Sequence, residues 1–367
     1  MARVLVFAND YTSVFHFRRE LLRRLVSDGH AVELVLPVDD RNQAFAEIGC
    51  SVTQLPLSRF GTNPIEELGT LVRFMKIVRS ARPDVLVTFT AKPNIYGGIA
   101  SQICRVPLVS AVTGLGATFQ QPGFLRTGMT LLYRLALRGA SRVMFENSSN
   151  RQLFLDRHVV AEGNSTVVSG AGVNLAENPL VPYPEKQDVT RFIAVARVRR
   201  DKGYDQLFEA IKQVCAHRDD VEFHIVGWYE DESYRQRLLE VAADYPVIVH
   251  GGVSQEQVRG LLAQADCLIH PSHHEGMANV ILEASAAGRP CLVSDIPGCR
   301  EAVDSEVSGF LFPAKDAPAL AECVERFTGL PTEQRRQMGL AARQKMELEF
   351  GRDAVVDSYV AAIMEAA

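Results

Sequence analysis

Short apolar runs alternate with longer stretches in which apolar positions recur every third or fourth residue. The runs at 3–8, 31–36, 51–55, 84–89, 107–111, 142–145 and 165–168 have the length and composition of buried strands. Between them, 15–28, 41–48, 64–80, 95–104, 126–139 and 148–158 carry helical spacing. Strand and helix in strict alternation predict a parallel sheet wrapped by helices. The pattern fades over 176–190, where Pro179, Pro182 and Pro184 stand, and this stretch reads as an interdomain linker. It then restarts, with strands at 191–196, 221–226, 247–250, 266–269, 290–294 and 309–312. The matching helices are 203–216, 231–243, 254–263, 298–303 and 316–328, and the end, 332–348 and 352–365, is helical throughout. The fold class expected is α/β, two Rossmann-like domains at 1–175 and 191–351.

Chemistry concentrates after the strand at 266–269. His274-Glu275-Gly276-Met277-Ala278-Asn279-Val280-Ile281-Leu282-Glu283 sets two carboxylates eight positions apart, the second inside a run that ends at Gly288 with Pro290 following. A strand's carboxyl end passing into a helix N-terminus is where ligands bind in α/β sheets. Free N–H groups there, beside a glycine, suit a diphosphate. Glu275 would repel such a group, so its place is at sugar hydroxyls or developing positive charge. Glu283, about two turns on, reaches toward ribose. Upstream, Arg197 ends one strand and Lys202-Gly203 precedes the next helix. Two cations in a strand-to-helix turn can meet the charge that grows on a leaving diphosphate. Gly227 and Trp228 follow another strand, and Trp228 is a candidate for lining a base pocket. No strand is followed by G-x-G-x-x-G, which argues against a dehydrogenase-type dinucleotide site.

The Glu-x7-Glu run resembles the signature of retaining glycosyltransferases of the GT-B fold, glycosyltransferase family 4. Thr90-Ala91-Lys92-Pro93-Asn94-Ile95-Tyr96-Gly97-Gly98, Thr113-Gly114-Leu115-Gly116, Ser169-Gly170-Ala171-Gly172-Val173-Asn174-Leu175 and Ile296-Pro297-Gly298-Cys299-Arg300-Glu301 look like its bacterial capsule, O-antigen and glycan-lipid branch. The resemblance runs from residue 3 to about 350 and implies a central cleft, with a last helix, 352–367, crossing back onto the first domain. It implies Glu275, Arg197 and Lys202 as catalytic groups. Glu283, Gly276, Met277, Ala278, Asn279, Val280, His274 and Gly227 would hold the donor. Asp10, Ser13, His16, Lys92, Thr113 and Gly114 fall on the acceptor side. Mannosyl-transferring relatives carry a histidine in the loop that here reads Thr113-Gly114-Leu115-Gly116. The reaction implied is transfer of a sugar, an N-acetylhexosamine, from a UDP-sugar to a polyprenyl-diphosphate-linked saccharide. A UDP-N-acetylglucosamine 2-epimerase of the same fold and a non-catalytic scaffold are the competing classes.

Charge changes the picture in one respect. The first 175 residues hold 19 Lys+Arg against 13 Asp+Glu in a chain of net charge −5, and nothing acidic lies between Asp84 and Glu146. That stretch includes Arg126, Arg134 and Arg138 beside Leu131, Leu132 and Leu135, the composition of a helix resting on an anionic membrane surface. No apolar run approaches the ~20 residues that span a bilayer, so the expected location is cytoplasmic, peripheral at the inner face of the membrane. Nothing calls for nucleic acid. The seven cysteines form no C-x-x-C pair and read as reduced core residues. His273 and His274 are adjacent and cannot chelate from one helix face, and no D-x-D follows a strand, so no metal cofactor is expected.

Overall fold

The computed structural model describes residues 1–57, 63–116, 119, 123–185 and 188–367. It divides into two units, Met1–Gly172 with Asp353–Ala367, and Val173–Arg352.

The first unit holds strands β1 (Arg3–Phe7), β2 (Ala31–Leu36), β3 (Ser51–Gln54), β4 (Val85–Phe89), β5 (Leu108–Val112), β6 (Arg142–Phe145) and β7 (Ser165–Val167). Its helices are α1 (Tyr11–Phe17), α2 (Arg19–Ser27), α3 (Pro64–Ala81), α4 (Ala91–Cys104), α5 (Phe124–Leu137) and α6 (Ser148–Asp156). All seven strands run parallel in the order β3-β2-β1-β4-β5-β6-β7. Successive strand residues face opposite layers. Val4 and Val6 enter a core with α1, α2 and the chain's last helix, while Leu5 and Phe7 enter one with α3, α4, α5 and α6. That double burial is why the strands read as unbroken apolar runs.

The second unit repeats the plan. It holds β8 (Thr190–Val195), β9 (Val221–Val226), β10 (Val247–Gly251), β11 (Cys267–His270), β12 (Cys291–Ser294) and β13 (Gly309–Phe312), with α7 (Tyr204–Cys215), α8 (Glu232–Asp244), α9 (Gln255–Gln264), α10 (Asn279–Ala286), α11 (Ala317–Thr328) and α12 (Thr332–Glu349). The strand order is β10-β9-β8-β11-β12-β13, again parallel. The last helix, α13 (Arg352–Ala366), packs Tyr359 and Ile363 into the first unit's core. Its Tyr359 ring lies 5.3 Å from the buried Arg18 guanidinium, which pairs with Glu146 at 2.6 Å.

Three local readings differ from expectation. The first helix starts at Tyr11, capped by Asp10, and breaks at Arg18 before α2. The segment at 40–48 is a 3-10 helix ending on Gly49 at φ 92°. The stretch 176–190, outside 186–187 which are not described, belongs to the second unit and packs on it. Arg289, fully buried, donates to the carbonyls of Pro182 (2.7 Å), Leu262 (3.1 Å) and Ala263 (2.9 Å), and the Tyr183 hydroxyl donates to Asp266 O at 3.0 Å. Prolines stop a helix there, but buried donors from elsewhere in the chain still fix the path. All seven cysteines are free thiols, three of them partly buried and four fully.

Candidate active site

In both sheets the strand order reverses beside the first strand, between β1 and β4 and between β8 and β11. Loops leaving the carboxyl ends on either side of such a reversal diverge and open a crevice. Lys202 and Glu275 follow the strands that flank one of these points, and Asp10, Ser13 and Lys92 follow those that flank the other.

At the β8/β11 point, the turn after β8 ends in Gly203 at φ 76°. A Cβ there would stand 1.9 Å from Pro271 O, so only glycine lets the two loops close. His273 N–H and Ser272 Oγ–H both donate to Asp201 O, at 2.9 and 3.3 Å, and zip the loops together. The result sets Lys202 Nζ 2.6 Å from Glu275 Oε1. His270, 4% exposed at the end of β11, places Nε2 2.9 Å from the same oxygen. A carboxylate only accepts, so His270 Nε2 carries the proton. Burial alone would push the Glu275 carboxyl up. The Lys202 ammonium and the His270 N–H reverse this and hold it well below the usual carboxylate range. Both bonds fall on Oε1; neither engages Oε2.

Glu275 itself lies in the loop ahead of α10 rather than on the helix. Gly298 (φ 85°) presses on that loop: a Cβ there would meet Gly276 O at 2.5 Å. Ala278 N–H donates to Gly298 O at 2.9 Å, so it is not available to a phosphate as expected. Met277 points into the core, and Asn279 and Val280 open α10 with no side-chain cap. Glu283, the fifth residue of α10, is partly buried near Arg352, Arg259 and Glu177. Burial pushes its carboxyl up to about 7 against the two arginines. His274 lies 3.8 Å from Asp201 Oδ2, its Nδ1 is buried without a partner, and burial lowers its imidazole pKa.

Arg197 is held elsewhere. Its Nη1 lies 2.5 Å from Glu230 Oε1, and Arg199 Nη1 lies 2.6 Å from Glu230 Oε2. Arg197 and Lys202 are therefore tied to different carboxylates. Gly227 N–H donates to Gly251 O at 2.8 Å, and its missing side chain lets Ala196 O approach. Trp228 is 67% exposed.

At the β1/β4 point, Asp10 and Ser13 serve each other. Asp10 Oδ1 accepts the Ser13 N–H at 2.6 Å and Oδ2 accepts its hydroxyl at 2.9 Å, a helix cap. His16 lies in the last turn of α1 with its ring 5.7 Å from that of Phe15. Lys92 Nζ lies 2.6 Å from Glu67 Oε1. Thr113 and Gly114 follow β5. Two further groups were given no role from the sequence, although Thr90 heads one of the runs that carry the resemblance. Thr90 caps α4 at φ 75°, a strained region for a β-branched residue, with Oγ1 buried and unpartnered. Asn9 Oδ1, after β1, is likewise buried without a partner. Nor did His270 stand out, one polar residue closing an apolar strand. Its place five residues before Glu275 was the one available hint.

On α5, Phe124, Leu125, Leu131, Leu132 and Leu135 are exposed, and Arg134 and Arg138 are exposed beside them. Arg134 Nη2 donates to Arg157 O at 2.6 Å. Arg126 is partly buried. Among the described residues no helix is long and apolar enough to cross a membrane, and no group of three or more His, Cys, Asp or Glu could hold a metal ion.

Comparison with known proteins gives this geometry its setting. Residues 16–171 match the glycosyl transferase 4-like domain, and 181–345 match glycosyl transferases group 1. The N,N'-diacetylbacillosaminyl-diphospho-undecaprenol alpha-1,3-N-acetylgalactosaminyltransferase of Campylobacter jejuni is 25% identical over 98% of this chain and 97% of its own length. The UDP-Gal:alpha-D-GlcNAc-diphosphoundecaprenol alpha-1,3-galactosyltransferase of Escherichia coli is 24% identical over 72% of this chain and 71% of its own. Among solved structures, Anabaena HepE with UDP and glucose superposes with a TM-score of 0.80 at 19% identity over all of both chains. Sucrose-phosphate synthase of Thermosynechococcus elongatus gives 0.79 at 18% over 100% of this chain and 99% of its own. The fold is GT-B, two Rossmann-like domains. Two domain families matched in chain order, together spanning most of the sequence, place this chain among the family 4 glycosyltransferases.

Proposed function

We propose that this glycosyltransferase moves an N-acetylhexosamine, with retention of configuration, from a UDP-sugar to a polyprenyl-diphosphate-linked saccharide during surface-glycan assembly. The observation that carries the reading is the Lys202–Glu275–His270 cluster at the β8/β11 reversal. Glu275 is fixed and ionised through Oε1, which keeps Oε2 as an acceptor for a donor-sugar hydroxyl. Lys202 has N–H donors beyond the one on Glu275, and these face the charge that grows on the leaving diphosphate. The uncapped start of α10 offers further N–H groups. Glu283 receives the ribose hydroxyls. The acceptor oxygen bonds to C1 of the sugar as the C1–O bond to phosphate breaks. The departing phosphate oxygen takes the acceptor's proton, so no separate base is required. Cations meet the diphosphate's charge without a metal ion, and activity should survive EDTA.

The acceptor class rests on the two relatives named for undecaprenyl-diphosphate-linked substrates. The membrane reading rests on the acid-free stretch and the exposed leucines of α5. It gives a peripheral enzyme at the inner face of the cytoplasmic membrane. The test is a donor screen of UDP-, GDP- and dTDP-sugars with undecaprenyl-diphosphate-linked acceptors, products read by mass spectrometry and anomeric configuration by NMR. Turnover confined to GDP- or dTDP-sugars would refute the donor assignment. A UDP-sugar converted without acceptor would identify an epimerase.

A further inference from the structure

The exposed apolar surface of the first unit is not confined to α5. On α3, Phe74 and Val78 are buried against the sheet. The opposite side carries Ile65, Leu68 and Val72, all exposed, Ile65 at 82%. Their spacing of three and four puts them on one outward stripe. Further along the same stripe stand Lys76 and Arg79, also exposed. On α5 the pattern recurs. Tyr133 and Leu137 face the sheet, while Phe124 (99% exposed), Leu131 and Leu135 face outward, followed by the exposed Arg138.

The two helices cover the same face of the sheet and run in the same direction, since both connect parallel strands. Between them lies α4, which is recessed. Its Gly98 allows Ala136 O so close that a Cβ would stand 2.2 Å away, and Gln102 Nε2 donates to Leu135 O and Ala136 O at 2.8 and 3.0 Å. Both apolar stripes begin at the carboxyl edge of the sheet, where Thr90 and Asn9 leave polar atoms unpartnered. The acids of α3's first turn are engaged: Glu67 by Lys92 at 2.6 Å, Glu66 by Asn63 Nδ2 at 3.0 Å.

We propose that α3 and α5 are two ridges of one docking face for an anionic bilayer, and that together they orient the first unit with the carboxyl edge of its sheet toward the lipid. Apolar side chains enter the interface, and the cations further along each helix meet lipid phosphates. One amphipathic helix leaves a protein free to roll about that helix. Two parallel ridges define a plane and remove that freedom. The orientation brings the acceptor-side edge to the depth at which a lipid-linked diphosphate sits. This inference rests on the membrane reading above and adds to it a second contact and a direction.

The test compares three proteins. Wild type is set against Ile65→Ser/Leu68→Ser/Val72→Ser on α3 and Leu131→Ser/Leu135→Ser on α5. Because these positions are exposed, both variants should keep the wild-type melting temperature. Binding is measured by flotation with phosphatidylglycerol–phosphatidylethanolamine vesicles, and transfer by kinetics with a long-chain acceptor in those vesicles and a short-chain acceptor in water. Each variant should bind vesicles roughly tenfold more weakly, raise KM for the vesicle acceptor and leave short-chain kinetics unchanged. Loss in the α5 variant alone would overturn the two-ridge proposal while leaving the membrane reading standing. Wild-type vesicle binding in both would overturn both. A wild-type dimer in light scattering that the α3 variant converts to monomer would show that stripe to be a contact between copies, and would overturn the proposal as well.

Discussion

The two strand-order reversals have the same topology and differ in how their polar groups are held. At β8/β11 the charged groups around Glu275 and Glu230 are paired: Glu275 holds Lys202 and His270, Glu230 holds Arg197 and Arg199, and Asp201 O takes two donors from the facing loop, while the neutral His274 Nδ1 and Asn279 Oδ1 are buried without partners. At β1/β4 the polar atoms nearest the sheet are left over. Asn9 Oδ1 and Thr90 Oγ1 are buried without partners, and Thr90 adopts a backbone conformation that its side chain disfavours. A buried polar atom without a partner costs about 1–3 kcal/mol, and a strained residue a similar amount. A fold keeps such costs where function compensates them. The difference teaches that the fold sets where ligands go, while polar satisfaction sets how ready each place is. The Lys202–Glu275–His270 cluster is pre-organised, whereas Asn9 and Thr90 keep acceptors for what binds.

The strongest challenge to that contrast is Glu275→Gln. Transfer should fall at least about a hundredfold, near 2.7 kcal/mol, while UDP affinity stays within a few fold because the amide still accepts from Lys202. A variant keeping a tenth of the wild-type rate would remove Glu275 from the centre. Next come Lys202→Ala and Arg197→Ala, each expected to lower kcat/KM by about tenfold to a hundredfold. Lys202→Ala should cost more, since it also strips Glu275 of its cation. If both meet one diphosphate their effects should be sub-additive; strict additivity would assign them to separate tasks.

His270 gives a finer test of pre-organisation. His270→Leu removes the second donor to Oε1 and should lower kcat about tenfold with UDP affinity kept. His270→Gln can still donate there, so it should recover most of the loss. Equal damage from both would show a packing role only.

Glu283 supplies a pH handle on α10. Burial pushes its carboxyl up to about 7 in the folded chain, against 4.5 for an exposed glutamate. Between these values the folded chain binds the extra proton, so stability falls as pH rises and this contribution is fully lost above 7. Glu283→Gln should therefore raise Tm at pH 8 and leave it nearly unchanged at pH 4. Since only the ionised form accepts two ribose hydroxyls, wild-type UDP affinity should improve a few fold from pH 6 to 8, and the glutamine variant should lose that trend. A flat wild-type profile would place Glu283 away from the ribose.

The smallest effect is expected at the unmatched site. Glycine accepts φ 75° without strain, so Thr90→Gly should stabilise the chain by ~1 kcal/mol, a rise of roughly 2–4 °C in Tm. KM for the acceptor should rise and UDP affinity should not change. A lower Tm would mean that the threonine side chain supports the fold rather than awaiting a ligand.

Which parts of this were legible follows from the range of the forces involved. The strands showed because a parallel sheet buries both faces of every strand, and that requirement writes a continuous apolar run into local sequence. The signature showed because loop, glycine and helix follow each other within a dozen residues. His270 did not show, because its partner lies around a turn and its neighbours on β11 are apolar for another reason. Asp10 and Ser13 fall on the acceptor side by resemblance, and their spacing also fits a helix cap; that they form the cap shows only in the hydrogen bonds. The exposed stripe of Ile65, Leu68 and Val72 was also invisible, because amphipathic spacing marks an apolar face without saying whether anything covers it.

The sequence by itself determined the alternation of strand and helix, the two Rossmann-like halves, and the identities of the acidic and basic groups in the loops after β8 and β11. These depend on periodicity and on residues near one another in the chain. Only the tertiary structure decided that Lys202 meets Glu275 while Arg197 meets Glu230, that Ala278 N–H is already used by Gly298, and that the proline-rich stretch is packed on the second unit. Each of these is a choice among partners distant in sequence. Charge and hydrogen-bonding capacity are properties of a residue, but the partner that satisfies them is set by which loops the sheet order brings side by side.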